Sequence, residues 1–426
     1  MERKSLVIHS ESSVFMRLLM ITTGYLPYTF SENLCNGKLG YAMYQKGWKL
    51  DVISRKDEGP TYSAEWTAPW TAIKDGVYEV TYQTGNRLTQ IVDTLHSSLS
   101  LGIYPDGGIR WARRAYELAL KLCKENHYDA VLTRSPSDMP HLVGLRLKEK
   151  LGIRWIANWN DPAAPIWPEP YTHHFSKSEQ ARKMAYTERC LRQADINTFP
   201  SQSLLDHFTS HFPFLSEKRT VVVPHIALAE EIAPKPVALP KGERFRMCHS
   251  GNLSVERDPE LTFKALRELI DEEYDKLQFS IMGHINDYTN DLIKRYRLEQ
   301  VVDCIGGFPY MQALEKMQAY DCLVLLEAKL KRGIFFASKF TDYAQLGKPI
   351  LAISPIDGFA ATTIDQYGGG VCVDNSDYLS IKKGILKLYN AWNEGTLHAL
   401  YPTEKLYKQF SADSVIKIYD SMLSHL

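Results

Sequence analysis

Ser338, Lys339 and Asp342 are the most informative cluster in the chain. A hydroxyl and an ammonium at a helix start suit a phosphate, and a carboxylate one turn later suits a pair of ribose hydroxyls. The surrounding order, Phe335-Phe336-Ala337 and then Leu346-Gly347-Lys348-Pro349, reads as a loop, a helix starting at Ala337 to Lys339, a stop at Gly347 and a buried strand. Unpaired N–H groups at that start add to the positive end of the helix dipole. A phosphate cradle beside a hydroxyl acceptor indicates a nucleoside diphosphate. A capped surface helix would use the same residue types, so the neighbouring loops decide.

Two further loops converge on the same end of this half. In His249-Ser250-Gly251-Asn252-Leu253-Ser254-Val255-Glu256-Arg257-Asp258-Pro259, Gly251 lets backbone approach a ligand. Arg257, just ahead of a helix start at Pro259, is suited to grip a phosphate as a fork. Gly283-His284 follows a strand ending at Met282. All three loops fall at C-terminal strand ends, where such sheets bind ligands. A surface ion pair is worth at most about 1 kcal/mol, and micromolar binding needs about 8 kcal/mol. The helix start, Arg257 and Lys339 must therefore act together in a closed cleft. His173-His174 has no carboxylate or cysteine at ligand spacing, so no metal centre is expected.

The elements that must position these groups form two α/β series. At 426 residues the chain exceeds what one core usually serves. The first series opens with the strand Arg17 to Thr23, ending at Gly24, and continues through strands at Trp48 to Ser54, Tyr128 to Thr133, Arg154 to Trp159, Ile196 to Phe199 and Thr220 to Val223. Residues 57–110, with Trp66, Trp70, Tyr78 and Tyr82, read as an irregular insertion with some β structure. Prolines 234, 236 and 240 mark a linker over 226–243. A second series follows over 244–410, and a last helix over 411–426. Residues 1–15 read as an extension ahead of a first domain over 16–225; Met16, just before the first strand, is a second candidate start.

Bulk composition narrows the function classes. With 44% hydrophobic and 23% charged residues, the chain is an ordinary globular protein. Fifty basic and fifty acidic residues cancel, which argues against nucleic acid. Seven scattered cysteines without a CxxC pair fit free thiols in the cytoplasm. No uncharged apolar run approaches the roughly 18 residues of a membrane span. The basic residues Lys177, Arg182, Lys183, Arg189 and Arg192 on one helix suit either an anionic membrane surface or a solvated face.

The ordered motifs carry a resemblance. Gly251-Asn252-Leu253, then Gly307-Phe308-Pro309-Tyr310 with Ala313-Leu314, then Ala337-Ser338-Lys339 through Asp342-Tyr343 to Pro349, resemble the donor half of the family 4 glycosyltransferases. Gly24-Tyr25-Leu26-Pro27, the stretch Ala194-Asp195-Ile196 to Pro200-Ser201, and the closing segment Phe410 to Leu423 match the rest of that family. The resemblance implies the GT-B fold: two Rossmann-like domains face each other across a cleft, and a C-terminal helix crosses back to the first. It implies donor contacts from Gly251, Asn252, Arg257, Gly283, Phe308, Ser338, Lys339 and Asp342. Gly24, Tyr25 and Arg134 fall on the acceptor side, although a turn before a helix explains Arg134 equally well.

The departures are specific. Many members carry a spaced pair of glutamates; the second, ribose-binding one falls on Asp342 and the first on Ile334. Glu327 and Lys329 are the nearby candidates to replace it. Where members place a histidine, this chain has Asn160, followed by Asp161, which matches an aspartate of the polysaccharide-assembly branch and is expected to orient sugar or acceptor. The activity implied is retaining transfer of a hexosyl-type sugar from a nucleotide-sugar to an acceptor hydroxyl, without metal or other cofactor. Asp161, Asn160, Arg257 and Lys339 are the expected catalytic set. The setting implied is assembly of a bacterial cell-surface polysaccharide, capsule or lipopolysaccharide, on a glycan or lipid-linked acceptor, by a cytoplasmic protein peripheral to the inner membrane. A non-hydrolysing nucleotide-sugar epimerase and an inactive nucleotide-sugar-binding subunit are the alternatives.

Overall fold

Two parallel sheets are built from the apolar runs marked above. The computed structural model describes residues 16–27, 30–56, 67–82, 86–101, 108–136, 138–237 and 240–424; the expected extension 1–15 and Trp66 lie outside the described residues. The first sheet holds β1 (Arg17–Thr22), β2 (Lys49–Lys56), β3 (Val77–Thr81), β4 (Ala130–Arg134), β5 (Trp155–Asn158), β6 (Ile196–Phe199) and β7 (Thr220–Val222). Its order is β3-β2-β1-β4-β5-β6-β7. The second holds β8 (Phe245–Ser250), β9 (Leu277–Met282), β10 (Val302–Cys304), β11 (Cys322–Leu326), β12 (Ile350–Ser354) and β13 (Gly370–Asp374), in the order β10-β9-β8-β11-β12-β13. Every residue of β4, β5, β6, β11 and β12 is buried, as helices on both faces of a parallel sheet require. Strand order reverses between β1 and β4 and between β8 and β11. Those are the switch points where α/β sheets open a crevice.

Residues 57–110 are more regular than the sequence suggests. Their described part supplies a helix over Thr67–Ile73, the edge strand β3 paired in parallel with β2, a helix over Arg87–Leu101, and the start of a helix over Ile109–Glu125. Only Val80 of β3 is buried, so this short edge strand leaves little alternation to read. The 109–125 helix buries Trp111, Ala112, Ala115, Ala119 and Leu122, one helical face.

The expected linker is also different. Its first part is core: Ile226, Ala227, Leu228 and Ala229 are buried. The Leu228 N–H donates to Gln345 Oε1 at 3.0 Å, and Gln345 Nε2 donates to the Leu228 carbonyl at 2.7 Å. Ala227 N–H donates to the Phe410 carbonyl at 2.8 Å. Prolines 234 and 236 fall in the more exposed stretch that follows. The closing helix, Ala412–Ser424, packs on the first domain: Arg219 donates to the Met422 carbonyl at 2.9 Å, and Lys46 pairs with Asp413 at 2.6 Å. One buried cluster therefore runs from β1 through Val223–Leu228 to Phe340, Tyr343 and Tyr419.

Candidate functional site

Loops leaving the C-terminal ends of β1, β5, β8 and β11 meet between the domains and enclose a cavity of about 380 Å³. The second domain supplies its cationic wall. Arg257, Ser338 and Lys339 line the cavity, with Glu327 beside them. Lys339 opens the helix Lys339–Gln345, and its ammonium hydrogen-bonds the Ser250 carbonyl while lying over Gly251. Gly251 has φ +132°, which favours glycine, and a Cβ there would displace that ammonium. Burial, and then Arg257, pull Lys339 down to about 7. An anion bound between these two basic groups would relieve their repulsion and favour the charged form of Lys339.

Gly283 and Asn252 pack behind Gly251 and do not line the cavity. A Cβ at 283 would run into the Gly251 carbonyl, and Asn252 Oδ1 accepts the His284 N–H at 2.8 Å. Ser338 stands at the helix start with helical φ −55° and ψ −31°, making no side-chain cap bond.

The first domain supplies a carboxylate wall. Asn160 and Asp161 line the cavity together with Glu32, from the first turn of the helix Ser31–Gln45. Asn160 Nδ2 donates to Glu32 Oε1 at 2.8 Å, and its backbone N–H donates to Ser135 Oγ at 2.9 Å. Burial pushes Glu32 up to about 7, opposed by Arg134 and assisted by Asp161; burial likewise pushes Asp161 up to about 6. Trp167, Tyr171 and Phe335 close one side, with ring centroids 5.6 to 6.1 Å apart.

Several expected contacts do not face this cavity. Asp342 is 6% exposed, and its Oδ1 pairs with Lys38 of the first domain at 2.5 Å and accepts the Tyr310 hydroxyl at 2.8 Å. One turn beyond Lys339, the helix face turns into the helix Ser31–Gln45, so this carboxylate ties the domains together. Phe308 is half-buried against the core, with the Lys316 ammonium 4.4 Å from its ring centroid. Tyr25 is a core residue: its hydroxyl packs on Gly40 and has no hydrogen-bond partner among the described residues. Gly24 is a buried turn whose carbonyl accepts Asn36 Nδ2 at 2.7 Å. Arg134 lies beneath the carboxylate wall, 4% exposed, bonded through Nε to Asn36, to the Tyr419 hydroxyl at 3.4 Å and to Asn160 Oδ1 at 3.5 Å.

Ile334 is 2% exposed within a core cluster of the first domain, so no carboxylate stands there. Glu327 lines the cavity and accepts Ser354 Oγ at 2.5 Å, with burial raising its pKa, whereas Lys329 faces Asp258 at 3.9 Å. His225, His141 and His249 are buried, which lowers the pKa of each. Among the described residues no three His, Cys, Asp or Glu side chains stand together as metal ligands. Glu32, Trp167 and Tyr171 are site residues that sequence reasoning misses. An acidic residue in a helix's first turn ordinarily complements the dipole, and the aromatics sit in a segment without periodicity.

Residues 38–227 match the family model described as Glycosyltransferase Family 4, and residues 231–401 match the one described as Glycosyl transferases group 1. Sucrose-phosphate synthase from Thermosynechococcus elongatus superposes with TM-score 0.65 at 14% identity, covering 96% of this chain and 100% of that one. HepE from Anabaena, in complex with UDP and glucose, gives 0.65 at 16% identity over the same shares. A mutant of S. aureus TarM, in complex with fondaparinux, alpha-GlcNAc-glycerol and UDP, gives 0.64 at 10% identity, again covering 96% and 100%. No curated protein sequence matches. The fold common to these structures and to this chain is GT-B, and each half of this chain matches a glycosyltransferase model.

Proposed function

We propose that this glycosyltransferase of the GT-B type moves a sugar from a nucleoside-diphosphate sugar to an acceptor hydroxyl, with retention and without a metal ion. The observation that carries the reading is the facing of two walls across one cavity: Arg257, Lys339 and the Ser338 helix start on one side, Glu32, Asn160 and Asp161 on the other. The acceptor oxygen bonds to the anomeric carbon as the carbon–phosphate oxygen bond breaks. The electron pair leaves with the diphosphate, which also takes the acceptor proton on the same face. Arg257, Lys339 and the backbone N–H groups stabilise the charge that builds there. Asp161 and Asn160 orient the acceptor. The same reading places the reaction in cell-surface polysaccharide assembly on a lipid-linked acceptor, at the inner face of the membrane. No helix among the described residues is long and apolar enough to cross a membrane. The 177–193 helix offers little free basic surface for attachment: Lys183 is buried, and Arg189 and Arg192 pair with Glu149 and Glu188.

Calorimetry with UDP, ADP and GDP tests the donor site. Arg257→Ala and Lys339→Ala should each weaken binding of the preferred nucleotide by about 1–3 kcal/mol; unchanged affinity in both removes the assigned site. Turnover should persist in EDTA, and loss restored by Mn²⁺ would contradict the metal-free reaction. Three carboxylates around the cavity are also what an epimerase requires, so a labelled nucleotide-sugar is incubated without acceptor. Interconversion of epimers in that tube would replace the transfer reading.

A further inference from the structure

The acceptor wall is selective in charge and shape. Among the described residues, the only charged side chains that the first domain brings to the cavity are Glu32 and Asp161. Asn160 joins them, holding Glu32 Oε1 at 2.8 Å. The nearby cation of that domain, Arg134, is buried and engaged by Asn36, Asn160 and Tyr419. Beside the carboxylates stand Trp167 and Tyr171, both half-buried, backed by Phe335 with ring centroids at 5.6 and 5.7 Å.

This combination matches one class of molecule. A pyranose presents hydroxyls at its rim and an apolar C–H surface on its ring. Carboxylates accept the hydroxyl hydrogens, and aromatic rings pack on the C–H surface through their electron-rich faces. A phosphate in the same place would meet two carboxylates and, among the described residues lining the cavity, no cation of that domain. A low local dielectric strengthens the repulsion. The cations across the cavity are taken by the donor diphosphate in the proposed reaction.

We infer that the reacting end of the acceptor is an uncharged sugar, its ring packed on Trp167 and Tyr171 and its hydroxyls held by Glu32 and Asp161, with any phosphate of the acceptor lying outside the cavity. This rests on the transferase reading above.

The test uses the full chain with the nucleoside diphosphate that calorimetry selects. Binding of methyl α-glucoside, methyl β-galactoside, methyl α-mannoside and methyl N-acetyl-β-glucosaminide is followed by saturation-transfer NMR and Trp fluorescence, beside glucose 1-phosphate and galactose 1-phosphate. At least one methyl glycoside should bind, and the sugar phosphates about tenfold more weakly or not at all. Tyr171→Ala and Glu32→Gln should each weaken that glycoside about tenfold, with nucleotide affinity kept within about twofold, which also shows that the variants are folded. Failure of every glycoside, equal or tighter binding of the sugar phosphates, or no effect of either substitution overturns the inference while leaving nucleotide binding intact. Failure of every nucleoside diphosphate to bind would instead sink the transferase reading, and the inference with it.

Discussion

Replacing Lys38 with Met should unlock the two domains. Lys38 and Asp342 are 2% and 8% exposed at their side chains, 2.5 Å apart, and the Tyr310 hydroxyl is the carboxylate's other partner. At that distance and an effective dielectric of about 20, their attraction is roughly 7 kcal/mol. Desolvation of several kcal/mol per ion offsets most of it. The pair itself is therefore close to neutral for stability, and its removal in one half is not. Lys38→Met strands Asp342 in the core with one hydroxyl, which should lower stability by about 3–5 kcal/mol. Urea denaturation followed by Trp fluorescence measures this, and Lys38→Met combined with Asp342→Leu should recover most of the loss. A single Lys38→Met variant that loses less than about 1 kcal/mol would refute the reasoning, because it would mean that water reaches the carboxylate.

Two other outcomes rest on the geometry of single side chains. Lys339 has its pKa lowered to about 7 by burial and Arg257, so above pH 7 it is mostly neutral and must gain a proton to bind a diphosphate. Affinity for the preferred nucleotide should fall by up to about tenfold per pH unit from pH 7 to 9, and calorimetry with Lys339→Met should show that slope flattened. Tyr25→Phe removes a buried hydroxyl without a partner among the described residues, so stability should hold or rise by up to about 1 kcal/mol with turnover unchanged. A marked loss of turnover would return Tyr25 to the acceptor site.

The legible parts of this molecule are those written in contiguous residues. Uninterrupted apolar runs such as Cys322–Leu326 announce buried parallel strands, and Ser338 and Lys339 beside Gly347 announce the helix that opens at the cavity. Asp342 escapes a local reading because a seven-residue helix has no face of its own; the helix Ser31–Gln45, 304 residues upstream at Lys38, decides where it points. Glu32 carries no local mark that separates a helix-start carboxylate from one that enters a cavity. The linker prolines are visible, but the preceding Ile226 to Ala229 are core only because Gln345 and Phe410 wait for them. The structure adds the pairings across the chain that no window of residues contains.

The closing helix has a consequence for how this protein is made. Its Tyr419 and Met422 complete the surroundings of Arg134 and Arg219, far earlier in the chain. N-terminal domains commonly fold first, while the ribosome is still translating the second. Here the nascent first domain lacks one wall until residues 412–424 have left the ribosome, so its native packing is completed only then. A gene split between the halves would yield an incomplete first fragment unless those thirteen helical residues were supplied in trans.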